Sequence, residues 1–172
     1  MMKVLIVSDS HGLATELEKL KENYQDEVDH FIHCGDSELE ADDKAIHSFV
    51  AVRGNCDIDD RFPEEIVMKI GDRTLYITHG HRHSVKSNLM TLSYRAKEVD
   101  ADIACFGHSH QLGAEMVYET LFINPGSIRL PRGRRERTYV ILDILESAYQ
   151  LKVYDIDRGE ITELANLFPF PN

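Results

Sequence analysis

Short apolar runs punctuated by glycine and polar residues dominate the first two thirds of the chain. Residues 3–7, 31–34, 49–52, 75–78 and 103–106 form such runs. An apolar run of this length, bounded by turn formers, predicts a buried strand. Between the first two, Leu13, Leu17, Leu20 and Tyr24 recur at helical spacing, with Glu and Lys on the opposite face. The polar segment at 38–47 is expected to be helical as well, giving the strand–helix alternation of a mostly parallel sheet.

After Asp57 the pattern changes. Residues 65–70 and 73–78, joined by Gly71-Asp72, predict a hairpin. Val85, Leu89, Leu92, Ala96 and Val99 mark a second amphipathic helix. Beyond it the pattern is almost all strand, at 114–118, 121–123, 138–145 and 150–156, with a short final strand at 160–164 after the Arg158-Gly159 turn. Antiparallel strands added to a strand–helix–strand core predict an α/β (α+β) fold, with two sheets packed face to face and helices outside.

Most of the buried runs end in residues that can ligate a metal. Asp9-Ser10-His11, Gly35-Asp36, Gly54-Asn55-Cys56-Asp57, His79-Gly80-His81 and Gly107-His108-Ser109-His110 each follow one. Open α/β folds build their sites at the carboxyl ends of their strands. One Asp or His at a strand end is usually a turn former or a helix N-cap. Five such motifs in one chain are not explained that way. His30, His33, His47 and His83 fit none of them and are expected to be ordinary surface or core histidines.

Asp9, His11, Asp36, Asn55, His79, His108 and His110 make a mixed oxygen and nitrogen donor set, suited to Mn²⁺, Fe, Zn²⁺ or Ni²⁺ rather than Ca²⁺ or thiolate-bound metals. Seven donors are too many for one four-coordinate zinc but enough for two ions sharing a carboxylate. Two ions about 3.5–4 Å apart can clamp the attacking and departing oxygens of a phosphoryl displacement.

Composition narrows the partners. At 172 residues the chain suits a single domain spanning 1–172. With 19 basic and 30 acidic residues its net charge is −11, which argues against long nucleic acids. Bound divalent cations would offset that charge locally and let a phosphate dock. Cys34, Cys56 and Cys105 are odd in number and scattered, predicting no disulfide framework and a reducing, cytoplasmic setting. The N-terminus enters a strand almost at once, too soon for a signal peptide, and no run is long enough to span a membrane.

The ordered series D-x-H, G-D, G-N-x-D, H-G-H, G-H-x-H over residues 1–127 resembles the calcineurin-like metallophosphoesterases. The G-N-C-D form and Asn124-Pro125-Gly126-Ser127 are most similar to its small bacterial and archaeal phosphodiesterases. The resemblance implies a four-layer αββα sandwich with a dinuclear centre, manganese being the first expectation. By the family pattern Asp9, His11 and His110 hold one ion, Asn55, His79 and His108 the other, and Asp36 bridges. The implied activity is hydrolysis of small phosphodiester or nucleotide-like substrates by a hydroxide bridging the ions. A phosphomonoesterase or nucleotide pyrophosphatase is the alternative on the same site, and a homo-oligomer, dimer or tetramer, is compatible with it. A scaffold without catalysis has precedent in the superfamily, but here every expected ligand position holds a competent donor.

Protein phosphatases of the superfamily carry histidine after the G-N pair, where this chain has Cys56. A thiol is a weak replacement acid, so Cys56 is expected to be a small packed side chain, with a catalytic role at the leaving oxygen as the alternative. Asp57 would orient a neighbour by hydrogen bonding, and His81 is the remaining candidate proton donor. Arg129, Arg132, Arg134, Arg135 and Arg137 crowd the segment after Ser127. One or two could fork onto a substrate phosphate, although a solvated loop or a subunit contact is the favoured expectation.

Overall fold

The computed structural model describes residues 1–171. Two mixed sheets meet face to face. In the first, β1 (Met2–Val7), β2 (His30–His33) and β3 (Val50–Ala51) run parallel, and β9 (Thr138–Ile144), β10 (Ala148–Asp155) and β11 (Gly159–Glu160) extend it antiparallel on the other side of β1. In the second, β5 (Arg73–Thr78), β6 (Ile103–Cys105) and β8 (Thr120–Asn124) are parallel, flanked by the antiparallel edges β4 (Glu65–Ile70) and β7 (Gly113–Val117).

Strand alternation builds three apolar layers. Val4 and Ile6 of β1 point between the sheets with Ile32, Ile77, Ile103, Ile123, Val140 and Leu142. Leu5 and Val7 point the other way and pack with Leu17 and Leu20 of α1 (Ala14–Tyr24). On the far side, Tyr76, Ala104 and Phe122 cover Leu92 and Ala96 of α2 (Met90–Glu98). Helix, sheet, sheet, helix is the expected order. No helix among the described residues is long and apolar enough to cross a membrane.

The structure corrects several boundaries. Residues 38–47 form turns, not a helix. Glu38 has left-handed φ (55°), Asp43 accepts from the Ala45 amide and Asp59 from the Ala41 amide, so side chains take amides a helix would use internally. β3 is only two residues long. The second helix begins at Met90, because the Asn88 side chain accepts the Met90 amide and Ser84 turns left-handed. Of the last expected strand only Glu160 is extended, as part of β11, and a 3-10 turn follows at Thr162–Leu164. A strand unread in the sequence, β12 (Asn166–Pro169), pairs with β10, and beyond it the Phe170 ring sits 4.7 Å from that of Tyr149.

Leu142 is fully buried between the sheets on a strand paired along both edges. Leu142→Ala should cost about 2–5 kcal/mol in urea unfolding. A loss below about 1 kcal/mol would mean that this layer does not carry the stability assigned to it.

Candidate metal centre

The carboxyl ends of β1, β2, β5 and β6 lie along one rim, and the motif loops leave from there. Six of the nine described non-glycine residues with positive φ are Asp9 (52°), His11 (42°), Asp36 (57°), Glu38 (55°), His108 (69°) and His110 (60°). They fall in three loops as pairs two residues apart. Non-glycine residues reach this region only when surrounding structure holds them there. Asp57 supplies part of that hold. Its carboxylate accepts the amides of Asp36 (2.8 Å), Glu38 (2.8 Å) and Gly54 (2.7 Å), tying the second loop to the third. The loops pass so closely that a Cβ on Gly54 would meet Asp36, and one on Gly107 would meet Ser8 and Asp9.

Each acidic group divides its two oxygens. Asp9 Oδ2 accepts from Ser8 Oγ (2.6 Å) and the His108 amide (3.1 Å), whereas its buried Oδ1 has no hydrogen-bond partner. Asp36 Oδ1 accepts the Cys56 amide (2.8 Å), and its Oδ2 faces His79 Nε2 at 3.2 Å. The histidines are oriented through their other nitrogen. His79 Nδ1 donates to the Cys34 carbonyl (2.7 Å), His110 Nδ1 to the Leu130 carbonyl (2.8 Å) and His11 Nδ1 to Glu38 Oε1 (2.8 Å). Three Nε2 atoms are thereby aimed at the free carboxylate oxygens. His110 Nε2 lies 3.2 Å from Asp9 Oδ1 and 3.3 Å from His11 Nε2, and Asn55 Oδ1 lies 3.1 Å from His79 Nε2.

Lone pairs converging without donors of their own fit a cation. Ligand atoms of Asp9, His11 and His110 lie within 4.8 Å of one another, as do those of Asp9, Asp36 and His79, and those of His11, Asp36 and Cys56. The orphaned Asp9 oxygen and the oxygen–nitrogen donor set meet the demand of divalent ions. Asp36 belongs to groups on both the His11 and the His79 side, and Asp9 Oδ1 also lies between them, 3.8 Å from each of these rings' Nε2 atoms.

Titration follows the same geometry. Burial alone would raise the Asp9 and Asp36 carboxyls, but the facing His110 and His79 hold both below the ordinary range. His110 is raised by the Asp9 carboxylate it faces, and His79 is raised by Asp36 and Asp9 against the pull of burial. His108 falls to about 4 through burial and the neighbouring His79.

Six of the seven expected ligands meet here through their donor atoms, and the seventh, His108, stands beside them. Asp9, His11, Asp36, Asn55, His79 and His110 are linked by the distances above, and the His108 ring lies 5.2 Å from that of His79. The His81 ring is 5.5 Å from His79 and 6.1 Å from His108. Cys56 is exposed beside Asp36, which corrects its reading as a packed side chain. Burial of the thiol and the Asp36 charge push it up to about 11.

Two residues escaped the sequence reading. Glu38, in what was expected to be a helix, orients His11. His33 accepts the Gly35 amide on Nδ1 (3.1 Å) and so donates from Nε2 to Ser10 Oγ (2.8 Å), joining the first two loops; burial lowers it to about 4. The only available signal was that His33 stands one residue before Cys34-Gly35-Asp36 on a strand.

Comparison with known proteins identifies the family. Residues 2–147 match the calcineurin-like phosphoesterase superfamily domain. The chain is 47% identical to a probable metallophosphoesterase, YsnB of Bacillus subtilis, over 96% of this chain and 98% of that one. It is 28% identical to the phosphodiesterase YfcE of Escherichia coli K12, over 83% and 88%. The crystal structure of a conserved protein from Streptococcus pneumoniae TIGR4 superposes with a TM-score of 0.94 at 34% identity, covering 98% of this chain and 97% of the other. The chain belongs to the calcineurin-like phosphoesterase superfamily, as a metallophosphoesterase.

Proposed function

We propose that the chain is a phosphodiesterase with a dinuclear centre, manganese being the first metal to test. One observation carries this reading: the Asp9 Oδ1 atom, without a donor of its own, lies among the imidazole nitrogens of His11, His110 and His79. His11, His110 and Asp9 would hold one ion, and His79, His108 and Asn55 the other, with Asp36 shared. Divalent ions there would supply a hydroxide at neutral pH and the charge that offsets the phosphoryl oxygens. The protein's part is to fix the donors, exclude competing partners from Asp9 Oδ1, and set what the leaving oxygen meets.

Near that leaving oxygen we place Cys56 and His81. A thiol near 11 holds its proton too firmly to act as a good acid at neutral pH. Burial and the adjacent His79 lower His81, so its neutral ring offers a hydrogen bond rather than a full proton. Two weak donors favour leaving groups that depart as stable anions. Asp57 acts at a distance, by holding the Asp36 loop. The exposed thiol of Cys56 and the free thiols of Cys34 and Cys105 suit a cytoplasmic, reducing setting.

A screen of diesters, monoesters and nucleotides with Mn²⁺ or Ni²⁺ tests the activity. We expect aryl phosphodiesters to be cleaved fastest, with the rate abolished by chelation and restored by metal. Activity that survives complete metal removal overturns the mechanism, and faster monoester or pyrophosphate cleavage moves the enzyme to that class.

Asp36→Asn keeps the shape but removes the charge. It should lower kcat/KM by about two to three orders of magnitude, about 3–4 kcal/mol at the transition state, and reduce bound metal by elemental analysis. Wild-type rates would exclude a shared Asp36.

Cys56→His should raise turnover on alkyl diesters relative to aryl diesters. If the variant is uniformly slower with both ions still bound, position 56 does not govern the leaving group.

A further inference from the structure

The five arginines after Ser127 are not equivalent. Arg137 forms an ion pair with Asp157 at 2.7 Å, and Arg134 meets Glu136 at 3.5 Å. The Arg129 guanidinium donates to the His11 carbonyl, so it holds a loop of the centre. Among the described residues, Arg132 and Arg135 are exposed and form no ion pair. An unpaired guanidinium is notable in a chain with 30 acidic and 19 basic residues.

Only one of these two is tied to the centre. The Arg132 amide donates to the His110 carbonyl (3.0 Å), and two residues earlier the Leu130 carbonyl accepts His110 Nδ1 (2.8 Å). The segment therefore grips His110 at both its backbone and its ring. Ser127 Oγ secures the start of the segment by donating to the Asp9 carbonyl (2.7 Å) and accepting the Leu130 amide (2.8 Å). Pro131 fixes the backbone before Arg132, and Gly133 turns it away at φ 77°. The Arg132 backbone is thus fixed beside His110, and its side chain is exposed there.

We propose that Arg132 binds the substrate, its guanidinium forking onto the non-bridging oxygens of a phosphoryl group seated on the His11–His110 side. The assignment rests on the phosphoesterase reading above and extends it to the side chain that receives the anion. A planar guanidinium matches two phosphate oxygens, which a point charge does not. Asp9, Asp36, Glu38 and Asp57 crowd this rim with negative charge, so a cation beside the donor set adds to the attraction that bound divalent ions would exert on an incoming anion. Arg135 lacks any such tie to His110 and serves as the control.

The test is binding of inorganic phosphate to the manganese-loaded protein by calorimetry, beside steady-state kinetics on bis(p-nitrophenyl) phosphate. Arg132→Ala should weaken phosphate binding about tenfold and raise KM by a similar factor, with kcat within about threefold and metal content unchanged. Arg132→Lys should recover part of the affinity, and Arg135→Ala should behave as wild type. Unchanged phosphate affinity in Arg132→Ala overturns the proposal, as does an equal loss in Arg135→Ala. Loss of metal in Arg132→Ala overturns it too, because the segment would then act by positioning His110. A wild-type protein that binds phosphate but cleaves no phosphodiester defeats the phosphodiesterase reading, while the binding series still judges Arg132.

Discussion

A buried carboxylate oxygen with no hydrogen-bond donor is expensive, and the rim of this protein is arranged around one. Asp9 Oδ1 lies among His11, His79 and His110, each turned so that its Nε2 faces inward. An uncompensated buried acceptor costs on the order of 1–3 kcal/mol, and more when charged. Asp9 Oδ2 and the Nδ1 atoms of the three histidines are each held by other partners, which fixes this geometry. The same arrangement that is unfavourable for the chain alone is favourable for a divalent cation.

Holding the donors in that state requires a supporting layer. Asp57 gathers three amides from two loops, Glu38 fixes the His11 ring, and His33 joins the first two loops from beneath. Six residues in left-handed conformations spread the strain over three loops. Side chains oriented this way hold metal more tightly than the same side chains on mobile loops, since little order remains to be imposed on binding. The segment from Ser127 to Arg132 adds a third side, clamping His110 while presenting a cation.

The elements easiest to read were those whose apolar pattern and final environment agree. The 65–70 and 73–78 hairpin matches the predicted bounds, because Gly71-Asp72 marks the turn and one strand is buried. The 38–47 segment misled because its polar residues suit a solvent-facing helix, while Asp43 and Asp59 draw its amides into turns. β12 was unreadable, since a short segment with proline at its end becomes a strand only through pairing with β10. Cys56 was misjudged for a related reason: its exposure depends on how the third loop lies over Asp36.

By itself the sequence determined which side chains could serve as donors. Parallel strand ends within one sheet converge, so Asp9, His11, Asp36 and Asn55 on one sheet and His79, His108 and His110 on the other were legible as candidate donors in the sequence. Tertiary structure decided how each would be used. Which carboxylate oxygen stays free, which imidazole nitrogen faces inward, and which of five arginines reaches the rim depend on hydrogen bonds between residues as far apart as His11 and Arg129. Such bonds form only after the chain has closed on itself. They follow no local period, and so they leave no mark in the order of the residues.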